Sequence, residues 1–110
     1  MLTAKGTFVY GIERDGVWHK EYEMRLPTLE DVERAIEGAQ AEAGPEASRA
    51  RIDRHKWTAC LTRIGGIPEK DITPDLLAGL ASTEFKGLSD TEEALLKKLA
   101  AASAGSAPSA

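Results

Sequence analysis

The chain has 110 residues, of which 42% are hydrophobic and 29% charged, and its formal net charge is −4. This length and composition are typical of one globular domain. The negative balance excludes a whole-chain electrostatic argument for binding nucleic acid or an acidic membrane surface.

Cysteine usage and hydropathy indicate the compartment. Cys60 is the single cysteine, so an internal disulfide is excluded and a reducing environment is expected. The N-terminal residues do not read as a secretory signal, and no apolar run approaches the ~18–20 residues that cross a bilayer. We therefore expect a cytoplasmic protein.

Residues 5–26 are predicted to form a β-hairpin. Asp15 and Gly16 suit the turn, because this pair readily supplies positive φ. A two-stranded hairpin is marginal alone, so its apolar face must lie against the helices or against another chain. Alternating apolar residues define one face: Phe8, Tyr10 and Ile12 in the first strand, and Trp18, Tyr22, Met24 and Leu26 in the second.

Two helices are predicted next. Thr28 and Asp31 have the spacing of a capping box, and Gly44-Pro45 ends the first helix. The second helix is predicted from about residue 46 to residue 64, before Gly65. The apolar stripe of the first helix is Leu29, Val32, Ile36, Ala39 and Ala43, and that of the second is Trp57, Cys60, Leu61 and Ile64.

These two helices have opposite charge. Residues 29–47 carry a balance of −5 and residues 48–64 a balance of +4. An antiparallel pair is therefore expected, although surface ion pairs add only about 0–1 kcal/mol each.

The remaining sequence predicts a short helix and a longer one. Thr73 as N-cap with Pro74 at the first helical position starts the short helix. The long helix starts near Ser82, and its continuity across residues 87–89 stays open because residues 89–92 offer a second start. Inward positions are Leu76, Leu77 and Leu80 in the short helix, and Phe85, Leu88, Leu95, Leu96 and Leu99 in the long one.

The predicted fold class is therefore α+β, an N-terminal β-hairpin followed by a bundle of three to four α-helices. Residues 1–100 form one domain. Residues 101–110 contain only Ala, Ser, Gly and Pro, and we expect a flexible tail there.

No catalytic, cofactor or metal site is predicted. His55 and Cys60 are separated by about 500° around a helix, so they do not form a nucleophile–base pair. Cys60 is expected in the core, and His19 and His55 on solvated faces. Gly65-Gly66 follows a helix and lacks the Lys-Ser or Lys-Thr of a phosphate loop. An enzyme is the least favoured of three functional hypotheses.

Two surfaces are candidates for binding. Trp18 and Trp57 are expected in the core more than at an interface. The leucine stripe of the last helix either closes the core or meets a partner helix. The basic cluster suggests an alternative, a small DNA-binding regulator, although docking on the acidic helix or plain solvation is the favoured explanation of the cluster. The partner-binding candidates are Trp57, Leu88, Leu95, Leu96 and Leu99; the basic cluster is Arg49, Arg51, Arg54, His55 and Lys56.

Several short segments, in this order after the hairpin, resemble a known family. They are Arg25-Leu26-Pro27-Thr28-Leu29-Glu30-Asp31-Val32, Leu61-Thr62-Arg63-Ile64-Gly65-Gly66-Ile67-Pro68, Ile72-Thr73-Pro74-Asp75-Leu76-Leu77-Ala78-Gly79-Leu80, and Phe85 before Leu88. Over about residues 7–100 the chain resembles the small tail assembly chaperones of long-tailed bacteriophages, particularly those of Mu-like phages and prophages. It departs from the family pattern before Glu84-Phe85, where another acid is expected.

This resemblance implies a non-catalytic protein that needs no cofactor and acts in the host cytoplasm. A homo-oligomer is compatible with this role. It would bind the aggregation-prone tape-measure protein, keep it soluble and help recruit tail-tube subunits. Such chaperones are often made in two lengths by ribosomal frameshifting, and the codons of Lys97-Lys98 are the expected place for a slippery run.

Overall fold

A computed structural model describes residues 2–105, and it has the predicted α+β architecture. A three-stranded antiparallel sheet in the order β1-β2-β3 packs against the helices. The elements are β1 (Thr3–Arg14), β2 (Val17–Arg25), α1 (Leu29–Ala43), α2 (Arg49–Cys60), β3 (Leu61–Ile64), a 3₁₀ turn (Glu69–Asp71), α3 (Pro74–Ala78) and α4 (Glu84–Gly105).

The predicted hairpin is confirmed, with a tight turn between Arg14 and Val17. Asp15 and Gly16 have φ of 52° and 81°, the positive values that a two-residue type I′ turn requires. This turn twists in the same sense as the strands, so it sets the register of β1 against β2.

A bulge interrupts β1 and changes which residues face the core. Residues 8–11 stand opposite Lys20 alone, between the pairs Thr7↔Glu21 and Ile12↔His19. Tyr10 is therefore 56% exposed, whereas Phe8 and Ile12 are buried. The prediction that Tyr10 shares their face is wrong, because extra residues in one strand break the period-two alternation.

The third strand replaces the end of a predicted helix. α2 ends at Cys60, and Leu61–Ile64 pair with β2 through Tyr22↔Ile64 and Met24↔Leu61. The prediction of a helix to residue 64 is wrong. By pairing with β2 on the edge opposite β1, β3 supplies hydrogen-bond partners to the backbone groups of that edge. The same pairing buries both Leu61 and Ile64.

Helix α1 begins at the predicted Thr28–Asp31 capping box and ends at Gly44, which has a φ of 88°. Its buried residues are Asp31, Ala35 and Ala39, whereas Leu29 is 89% exposed. The predicted inward stripe is therefore wrong for most members, since Val32, Ile36 and Ala43 are also exposed. The small buried face lets α2 approach closely.

The packing of α1 against α2 is antiparallel, as their charges predicted. Near the connecting loop, Glu42 pairs with both Arg51 and His55. At the far end, the Cys60 thiol lies 3.8 Å from the Asp31 carboxylate. Gly38 faces the His55 ring so closely that a Cβ there would need the ring to shift.

Helix α4 is continuous across residues 87–89 and runs to Gly105. Its 22 residues span about 33 Å. Residues 101–105 are thus helical, five residues into the segment expected to be flexible, and the alanines there are strong helix formers. The rest of the expected tail, residues 106–110, lies outside the described residues.

The core lies between the sheet and the helices. Trp57 and Cys60 are buried as expected, and Leu77 of α3 joins them behind the predicted Thr73–Pro74 start. Trp18 is 59% exposed, so its expected place in the core is wrong. It pairs with Glu13 beside the turn, and the bulge opposite Lys20 separates it from the buried part of β2.

We predict that Gly11→Ala destabilises the fold much more than Gly16→Ala. Both glycines have positive φ, which costs an alanine roughly 1–2 kcal/mol. A Cβ at Gly11 would also overlap the carbonyl oxygen of His19, whereas nothing lies within 4 Å of one at Gly16. Urea denaturation at matched m-values measures the difference. An equal decrease in the free energy of unfolding for the two variants would show that the bulge is not rigid.

Candidate partner-binding groove

The start of α4 is anchored to the bulge of β1 by one buried carboxylate. Glu84 is 2% exposed. It accepts hydrogen bonds from the backbone N–H groups of Val9, Tyr10 and Gly11, each with an N···O distance of 2.9 Å. The bulge turns these three groups out of the β-ladder, and the carboxylate gives them their acceptor.

The ionised form of Glu84 is favoured in this setting. Burial raises the pKa of the carboxyl, but the N–H donors of Gly11, Tyr10 and Val9 together outweigh it and lower the pKa below its ordinary value. Glu84 therefore stays charged at neutral pH and serves as an anchor.

A second anchor joins three other elements. Arg25 at the end of β2 makes a bidentate pair with Asp31 of α1, at 2.6 and 2.8 Å, and donates to the Ala59 carbonyl of α2 at 3.0 Å. The hydrogen bonds from Arg25 hold the pKa of Asp31 well below its usual range, burial opposes them, and those from Thr28 add to them. This clamp fixes the α1–α2 pair on the sheet.

Cys60 lies behind this clamp and is fully buried. Burial raises the pKa of its thiol to about 12, so the thiol is protonated at neutral pH. Within residues 2–105, no group of three or more His, Cys, Asp or Glu side chains is arranged to hold a metal ion.

Trp57 forms the floor of a groove between α2, α3 and α4. Its indole N–H donates to Glu92 of α4 at 2.9 Å, and Lys56 Nζ lies 5.4 Å from the ring centroid. Phe85 packs edge-on against the indole, with 4.9 Å between ring centroids. Both aromatic residues are thus held in place, and Phe85 stays 46% exposed.

The groove itself has a volume of about 310 Å³ and a mainly apolar lining. Its size is at the lower end of the range for ligand pockets, which fits the side chains of a helical turn better than a whole helix. Exposed alanines keep its mouth open. The lining includes Ala50, Arg54, Trp57, Ala78, Leu80 and Phe85.

Leu96 and Leu99 form a short exposed apolar stripe on α4, beyond the groove. At 100° per residue, Phe85, Leu96 and Leu99 lie within about 60° of one another on the helix surface. Leu96 is 51% and Leu99 40% exposed. Phe85 and Leu99 are about 21 Å apart along the helix, and Glu92 lies between them on the same face, where it binds Trp57 and Lys56 of α2.

The structure divides the five partner-binding candidates. Trp57, Leu88 and Leu95 are at most 4% exposed: Trp57 and Leu88 belong to the lining of the groove, whereas Leu95 is a core residue, and its proposed place on a docking face is corrected. Only Leu96 and Leu99 lie on the surface, and for them partner binding stays a prediction. Leu88 and Leu95 sit beside the exposed stripe and tie α4 to the core.

The basic cluster of α2 is mostly neutralised within the fold. Arg49 pairs with Asp53, Arg51 and His55 with Glu42, and Lys56 with Glu92. His55 is thus partly buried at the α1–α2 contact and is not simply solvated. The fifth member, Arg54, has no ion pair to any described residue and lines the groove. These ion pairs decide which cations are free to face a partner.

Sequence reasoning missed the role of Glu84 and of Arg54. An isolated glycine inside a predicted strand is a signal for a bulge, and Gly11 provided it. No local pattern connects that glycine with an acid 73 residues later. Arg54 stood in the sequence as one cation among several, and only the packing of α2 against α3 and α4 separates it from them.

Comparison with protein-family models, curated proteins and solved structures gives no match for this chain. None of the helices within residues 2–105 is long and apolar enough to span a membrane.

We predict that Glu84→Gln lowers the free energy of unfolding at pH 7 by about 2–3 kcal/mol. The amide loses the charge-assisted bonds and turns an N–H₂ group toward backbone donors. The wild-type contribution is complete above the ordinary pKa of a glutamate and is lost as pH falls through the lowered folded-state value. Denaturation from pH 7 to pH 2 should therefore show the two proteins converging.

The control for this experiment is Glu93→Gln, which removes an exposed carboxylate from the same helix. It should leave the free energy of unfolding within about 0.5 kcal/mol of wild type. A Glu84→Gln protein as stable as wild type at pH 7 would contradict the anchoring role.

Proposed function

We propose that this chain is a non-enzymatic phage tail assembly chaperone that binds the tape-measure protein, keeps it soluble and helps recruit tail-tube subunits. The groove lined by Trp57 and Phe85, together with the separate exposed stripe of Leu96 and Leu99 on the same helix, is the observation that carries this proposal. An amphipathic helix placed along α4 would bury apolar side chains that otherwise stay in contact with water.

The segments that resemble the family support the proposal indirectly. Thr28 and Asp31 cap α1, Leu61 and Ile64 build β3, and Thr73 caps α3. These residues have folding roles, so the likeness concerns the scaffold that presents the groove. The partner, by resemblance, is a long protein rich in amphipathic helix, which is the kind of surface that the groove and stripe complement.

The charges near the groove weigh against the alternative of a DNA-binding regulator. Phosphate binding needs cations that are free to face the nucleic acid. Four of the five basic residues of the cluster already have a carboxylate within 4.0 Å. Binding of a helix depends instead on apolar contact, which salt weakens little.

The test uses two helical alanines that are both exposed. Ala78→Trp fills the groove, whereas Ala41→Trp adds the same ring to α1 away from it. Each variant is co-expressed with the long, coiled-coil-rich protein expected to be encoded immediately downstream. We expect wild type and Ala41→Trp to keep that protein in the supernatant, and Ala78→Trp and Leu96→Asp to lose most of it while staying folded by circular dichroism.

Two results would contradict the proposal. One is failure of the wild-type chain to bind or solubilise the tape-measure protein. The other is tight binding of duplex DNA at physiological salt that Arg54→Ala abolishes, which would support the regulator. Equal solubilisation by folded Ala78→Trp would show that the groove is not the docking site.

A further inference from the structure

Within residues 2–105, Arg54 is the one member of the basic cluster whose side chain has no acceptor. Its Nε atom is buried and has no hydrogen-bond partner among residues 2–105. The side chain lines the groove together with Trp57 and Leu80. An unpaired donor in such a setting is costly, because it has given up water without gaining a replacement.

The acid that faces α2 from α4 is already engaged. Glu92 accepts from Trp57 Nε1 and from Lys56 Nζ, both at 2.9 Å. Arg49, one turn earlier, has its own partner in Asp53 at 3.1 Å. The chain therefore satisfies the neighbouring cations and leaves Arg54 open at the groove wall.

We propose that Arg54 determines the specificity of the groove by pairing with a Glu or Asp side chain of the bound amphipathic helix. This inference rests on the proposed function, because it assumes that a helix occupies the groove. The buried Nε is out of reach of a docking helix, so the acid pairs with the two terminal Nη groups of the guanidinium, beside the apolar residues that fill the groove.

The same arrangement rejects helices that lack the acid. A purely apolar helix would cover Arg54 and remove its remaining water while supplying no acceptor. The groove therefore binds acid-bearing helices more tightly than other hydrophobic helices. The discrimination comes from the charge of Arg54, which stays unpaired when the bound helix has no acid.

The experiment separates binding from stability. Amidated 20-residue peptides that tile the tape-measure protein are titrated by fluorescence anisotropy onto wild type, Arg54→Met and Arg49→Met. Methionine keeps an unbranched apolar stem and removes the charge. We expect Arg54→Met to lower the affinity for the acid-bearing peptides at least tenfold without lowering Tm. Arg49→Met should change that affinity less than twofold.

A charge reversal completes the test. Peptides whose acid is changed to Lys should lose affinity for wild type and regain it with Arg54→Glu. If peptides with and without the acid bind wild type equally, or if Arg54→Met and Arg49→Met weaken binding equally, this inference is wrong.

The outcome also distinguishes this inference from the proposed function. One outcome is that peptides bind wild type and Arg54→Met with equal affinity but fail to bind Ala78→Trp. That outcome would overturn the role of Arg54 and leave the groove as the docking site. Absence of any binding to wild type, or unchanged binding to Ala78→Trp, would overturn both.

Discussion

The contact between the Glu84 carboxylate and the bulge of β1 determines where α4 lies. Three consecutive N–H groups leave the ladder at residues 9–11, and one charged acceptor on another element meets all three. Because Phe85 follows Glu84 directly, the same contact sets the wall of the groove against Trp57. A small domain has a narrow stability margin, so an interaction of this kind affects both folding and the binding surface.

Local chemistry was readable from the sequence. The Asp15-Gly16 turn, the Thr28–Asp31 capping box and the Thr73–Pro74 helix start were all predicted and confirmed, because each depends on residues within a few positions. Non-local features were not. β3 forms because an edge of β2 needs a partner, and Asp31 replaces the larger apolar residues on the inner face of α1 because Arg25 pairs with it.

The candidate site follows the same division. Among the leucines of the last helix, periodicity alone did not separate buried Leu95 from exposed Leu96. Arg54 differs from its neighbours only through what surrounds it in the folded chain. Turns and helix caps are therefore visible as sequence motifs, whereas the Glu84 anchor and the residues proposed to bind a partner emerge only from tertiary placement.

Amide hydrogen exchange of the wild-type protein, measured by NMR, tests the anchoring contact most directly. If Glu84 holds the bulge, the amides of Val9, Tyr10 and Gly11 exchange as slowly as those of Leu88 and Leu95 in α4, because they open only with the helix. Exchange at these three amides as fast as in the Asp15-Gly16 turn, with α4 still protected, would contradict the account.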